Sequence, residues 1–131
     1  MALIGVTTSG AQAVTTKMLF ELVIPMTYIT GTDIPVTVNC VVATAANVTA
    51  AATTMTVAAY SVSNTGVETA LTVSAAQRIP LTTAGTLTFT ISGFSANLAG
   101  SQRLNLELVQ LVTTTAGGAS FGQVNSINYV A

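Results

Sequence analysis

The sequence predicts an all-β chain folded as an antiparallel two-sheet sandwich, a jelly roll with a short N-terminal arm. Three observations carry that expectation. Apolar and polar residues alternate along several stretches with the period that puts one face of a strand in a core. Turn signals rich in Gly, Asn, Asp and Pro separate these stretches at intervals of about ten residues. No stretch carries the apolar spacing of an amphipathic helix.

Residues 1–16, MALIGVTTSGAQAVTT, pass from a short apolar piece into small polar residues. They read as an arm with at most one short strand, free to lie along a partner. Residues 17–131 then form a single sandwich domain, and Lys17–Ile24 is its first strand. The second, Ile34–Ala45, places Ile34, Val36, Val38, Cys40 and Val42 on one side, with Pro35, Thr37 and Asn39 on the other. Between them, Pro25 cannot donate to a ladder, and Gly31 followed by Thr32 and Asp33 is where the backbone reverses.

Alanine is dense in Ala45–Thr54, but threonine and the flanking alternation predict a loop or a strand continuation rather than a helix. Met55–Ser63 resumes the strand pattern with Met55, Val57 and Ala59 on one face. Asn64-Thr65-Gly66 is a turn signal, and Val67–Val73 returns as the second arm of a hairpin. Ser74–Gly85 has no clear period. In Thr86–Ser92, Leu87, Phe89 and Ile91 point inward and threonines outward. Gly93–Gly100 is a connection whose Phe94 and Leu98 tuck under the sheet edge.

Arg103–Thr113 puts Leu104, Leu106, Leu108 and Gln110 on one face, and Val109 and Leu111 among the residues of the other. Apolar residues on both faces predict an inner strand, or one covered by another subunit. Thr113–Ser120 is a loop and Ser126–Val130 the last strand, for a total of about seven to nine strands. From the alternation, Phe20, Leu22, Ile34, Val36, Val38, Val57, Leu87, Phe89, Leu104 and Leu106 are the expected core.

Charge narrows the functional classes. Lys and Arg number 3 and Asp and Glu 4, or 5% of the chain, against about 25% in soluble domains. A phosphate-binding surface needs clustered cations, so nucleic acid is not an expected partner. Sparse charge also weakens the repulsion that keeps copies apart, which favours self-association. Polar residues interrupt every apolar run before the ~18 residues of a membrane helix, and residues 1–16 lack the pattern of a cleaved signal, so no membrane partner is expected. Cys40 stands alone on the apolar side of its strand and reads as a small core residue.

The chain has no histidine, which removes Ser-His triads, Cys-His pairs and the commonest metal ligand. Arg103 and Glu107 share a strand face and read as a surface ion pair. Nothing in the sequence indicates the cleft and raised pKa that Glu21 and Glu107 would need as paired catalytic carboxylates. Asp33 is one carboxylate among hydroxyls, weak for calcium and better suited to stabilising a turn. The chain is therefore expected to be no enzyme and to use no cofactor or metal. Tyr28, Thr30, Thr32 and Asp33, in the most turn-rich segment, are the candidate contact residues. Tyr28 has two readings: a sugar-stacking platform, or a plug at the sandwich end whose hydroxyl donates to a backbone carbonyl, which is favoured.

Phe20, Ile24-Pro25, Tyr28 and Gly31, followed by alternating Ile34, Val36 and Val38, resemble a pattern in small jelly-roll structural proteins of tailed bacteriophages. The resemblance spans residues 18–42, with the order of strands agreeing beyond it. It implies a head decoration or cement protein, located in the virion and made in the host cytoplasm. It implies two partners, further copies of itself in a trimer and the major capsid protein. A carbohydrate-binding or adhesin-like sandwich module is the alternative.

Overall fold

In the computed structural model, residues 6–8, 11–42, 47–93, 103–116, 118–120 and 122–130 are described. Their strands are β1 (Val6–Thr8), β2 (Gln12–Val23), β3 (Ile34–Val42), β4 (Thr54–Val62), β5 (Glu68–Leu71), β6 (Gln77–Arg78), β7 (Gly85–Ile91), β8 (Arg103–Thr114), β9 (Gly118–Ser120) and β10 (Gly122–Tyr129). One sheet has the order β10-β3-β7, the other β2-β8-β4-β5 with β6 also on β4, and β1 pairs with β9. All these strand pairs are antiparallel. The pairs β2–β8 and β3–β7 are nested around the β4–β5 hairpin, the winding expected of a jelly roll, and β10 is added beside β3.

The alternation in the sequence becomes the two inner faces. Ile34, Val36, Val38, Cys40 and Val42 of β3 and Leu87, Phe89 and Ile91 of β7 meet Met55, Val57 and Ala59 of β4 and Leu104, Leu106 and Leu108 of β8. Eight of the ten expected core residues are buried. Phe20 and Leu22 are only half-buried, because β2 ends its sheet and has a neighbour on one side alone.

The two long edges of the sandwich differ. On one, the segment after β5 crosses to β7: Ser92 N donates to Thr72 O at 2.9 Å and Ser74 N to Thr90 O at 3.0 Å, and Val73 bridges Ile91. Hydrogen bonds thus join the sheets. On the other edge, β2 and β10 border an apolar groove of about 360 Å³ lined by Phe20, Leu22, Val124, Ile127 and Tyr129. The sandwich is therefore a barrel closed on one side and open on the other.

Several boundaries differ from the sequence expectation. Gln12–Thr16, placed in the arm by composition, extend β2 and pair with Gln110–Thr114. Four residues further out on each strand, Thr8 pairs with Gly118 in the same register, so β1–β9 continues this ribbon. Much of the expected loop Thr113–Ser120 accordingly lies in β8 and β9. Small and polar residues at 11–16 hide the strand, because Ala11, Ala13 and Thr15 are exposed and only Val14 among them offers a sizeable apolar side chain. The last strand begins at Gly122, not Ser126, and a register shift between Val124 and Ser126 breaks the alternation that sequence reading depends on.

Gln77 and Arg78 form a two-residue strand inside the stretch that showed no period. Within the expected 45–54 connection, Ala50–Ala52 form a short 3-10 turn, while Ala45 and Ala46 lie outside the described residues, as do Phe94 and Leu98.

Candidate functional site

Both sheets contribute to one pole of the sandwich. Val23 and Val62 flank Arg103 across the larger sheet, so the ends of β2 and β4 and the start of β8 lie together. In the other sheet Ile34 pairs with Ile91, and Tyr129 with Val36. Residues 24–33 link the two sheets at this pole. Met26 and Ile29 on that link are 84% and 74% exposed, and Val23, Val67, Tyr129 and Val130 are also exposed nearby.

The link is held by its own hydrogen bonds. Tyr28 N donates to Pro25 O and Thr32 N to Ile29 O, each at 3.0 Å. Tyr28 is buried, and its hydroxyl donates to Thr32 O at 2.6 Å. That is the plugging geometry favoured from sequence, and it takes the ring away from any surface platform. Gly31 adopts φ +87°, a backbone conformation that a side chain disfavours. Asp33 Oδ1 accepts from Gly93 N at 2.8 Å, which ties the link to the end of β7. Of the candidate contact residues, Thr30, Thr32 and Asp33 are exposed and Tyr28 is not.

Sequence reasoning missed Met26 and Ile29. No sequence signal separates them from Ile24 and Tyr28 of the same link, which fold inward.

The outer face of the larger sheet holds a second concavity, of about 580 Å³, lined by Leu19, Glu21, Tyr60, Glu68, Asn105 and Glu107. Two of its three carboxylates are ion-paired. Lys17 Nζ lies 2.6 Å from Glu107, and Arg103 Nη1 lies 3.5 Å from Glu21. Asn105 donates to Glu68. By hydrogen bond and then by charge, Glu107 raises the Lys17 ammonium above its ordinary pKa. The expected Arg103–Glu107 pair does not form: Glu107 is taken by Lys17 and Arg103 by Glu21. Residues four apart on one strand are separated by about 13 Å, whereas diagonal neighbours on adjacent strands fall within reach of long side chains. Each therefore pairs with β2 instead.

Cys40 is fully buried, and desolvation pushes its thiol from 9.0 up to about 11, so it stays a neutral packing group at physiological pH. Among the described residues, no group of three or more His, Cys, Asp or Glu is placed to hold a metal ion. No helix of those residues is long and apolar enough to cross a membrane. The chain matches no protein-family model, no curated protein sequence and no solved structure.

Proposed function

We propose that the chain is a structural component of a virus particle, a decoration or cement protein that binds and stabilises the head of a tailed bacteriophage. The observation that carries this reading is the apolar pole. Large side chains at Val23, Met26, Ile29, Val67 and Val130 stand in water at one end of a sandwich whose own core is already filled. Large apolar side chains left in water at one end of a fold point to a protein contact site there. Link 24–33 is braced by Tyr28, Gly31 and Asp33, so it presents Met26 and Ile29 without a large ordering cost on binding. The major capsid protein is the partner for this pole, and further copies of the chain are partners elsewhere. The reading assigns the chain no catalysis.

Particles stripped of the protein are expected to lose resistance to heat or osmotic shock and to regain it on adding the protein back. Particles equally robust without it would contradict the proposal. Met26→Asp and Ile29→Asp should abolish the rescue while leaving the far-UV circular dichroism unchanged.

A carbohydrate-binding module is the second reading, favoured by the outer concavity in which Tyr60 and Asn105 stand beside carboxylates. Binding of an oligosaccharide, lost in Tyr60→Ala, would favour it over the first.

A further inference from the structure

Strand β2 is the terminal strand of its sheet and pairs with β8 without interruption over Gln12–Val23. It contains no proline and no register shift. A long regular edge of this kind leaves a row of backbone donors and acceptors ready to pair with another strand. The facing edge is not equivalent, since β10 is broken by the register shift at Val124/Ser126, a device that blunts pairing. The β7 edge is covered by Thr72–Ser74. Among the described residues, β2 is therefore the longest regular edge left open.

The outward face of β2 reads Lys17, Leu19, Glu21, Val23. Leu19 is 77% exposed, although it lies in the middle of the strand between two charged residues. A second copy of the same strand, laid antiparallel with Leu19 opposite Leu19, resolves this arrangement. Lys17 of each copy then falls directly opposite Glu21 of the other, and the two exposed leucines meet on the twofold axis. On the opposite face, Met18 falls against Phe20, which adds apolar surface beside the half-open groove. The intrachain pairs extend the pattern: Glu107, Lys17, the second copy's Glu21 and its Arg103 form a row of alternating sign.

Charge favours this register, the one that sets Lys17 opposite Glu21. An antiparallel pairing centred on Lys17 would oppose two lysines, and one centred on Glu21 would oppose two carboxylates, both unfavourable.

We infer that two copies of this chain associate edge to edge through β2, antiparallel about a twofold axis at Leu19, which joins their larger sheets into one continuous sheet. The inference deepens the self-association in the proposed function but does not depend on attachment to a shell. It sets a twofold contact against the trimer that the resemblance implies.

Two measurements test it. The first uses charge reversal, read by sedimentation equilibrium at micromolar to tens of micromolar concentration. Lys17→Glu alone opposes carboxylates and Glu21→Lys alone opposes ammonium groups, so each is expected to raise the dimer dissociation constant on the order of tenfold or more. Mixing the two variants sets the carboxylate introduced at position 17 of one copy opposite the ammonium introduced at position 21 of the other, and should restore the dimer mass. Changes to intrachain pairs are the same before and after mixing, so rescue reports the contact between copies.

The second uses Leu19→Cys, which a short bifunctional thiol reagent should convert to covalent dimer. Thr15→Cys should not cross-link, because the two copies of that residue would lie about 27 Å apart. The buried Cys40 of the wild-type chain should give no product. A wild-type monomer, a trimer in which Leu19→Cys fails to cross-link, or a mixture that shows no rescue would each overturn the inference. None of those results would alter shell binding by Met26 and Ile29.

Discussion

Gly93 and Gly31 meet backbone to backbone: a Cβ built on Gly93 would overlap the carbonyl oxygen of Gly31 and stand 2.9 Å from its Cα. Asp33 bonds the amide of Gly93 from the same link. Two glycines and one carboxylate thus fix residues 24–33 against the end of β7, and that attachment sets where Met26 and Ile29 are presented.

Gly93→Ala is accordingly expected to destabilise the fold by about 1–3 kcal/mol, the usual cost of forcing extra atoms into a filled space. Asp33→Ala removes one hydrogen bond at an exposed position and should lose about 1 kcal/mol. Urea unfolding of both variants measures the difference. A Gly93→Ala protein as stable as the wild type would mean that the two backbones are not in contact.

Burial along β7 and β2 makes a second pair of expectations. Phe89 is fully enclosed, so Phe89→Ala should cost about 3–5 kcal/mol. Phe20 lines the open groove and is half-buried, so Phe20→Ala should cost less, about 1–2 kcal/mol. Equal losses in urea midpoints at unchanged slope would contradict the open edge.

The thiol of Cys40 gives the pH dependence a direction. Its folded pKa is raised to about 11 from 9.0, so between those values the unfolded chain has lost a proton that the folded chain keeps. Stability contributed by the buried thiol is complete below pH 9 and falls as the pH rises toward 11. Chemical unfolding at pH 7.5 and 10.5 should show a steeper loss for the wild type than for Cys40→Val. Parallel losses in the two proteins would mean that the thiol is not desolvated.

Where strands face a core on one side, the fold was legible in the residues themselves. The alternation at Ile34–Val42, Met55–Ala59, Leu87–Ile91 and Leu104–Leu108 located four strands and their inward faces, because burial imposes a period that survives translation into sequence. It failed at Gln12–Thr16 and Gly118–Ser120, which are held by backbone pairing in a ribbon, and at Gly122–Val124, where the register shift that follows buried Val124 leaves too short a run for the period to show. Ion pairing was misassigned for a geometric reason, since sequence separation along a strand conceals the partner on the next one. At the pole, Tyr28 was legible as a plug whose hydroxyl bonds a backbone carbonyl, whereas Asp33, expected to stabilise its own turn, bonds the amide of Gly93 at the end of β7. Exposed Met26 and Ile29 were not legible, because composition does not say whether an apolar residue in a turn folds inward or stands in water.

The copy number of the chain on gradient-purified virions tests the proposed function most directly, quantified by mass spectrometry against the major capsid protein. A fixed ratio that holds across preparations, and drops when Met26 and Ile29 are replaced by Asp, is the expected result. Absence from the particles, or trace amounts with no fixed ratio, would contradict a structural role in the shell.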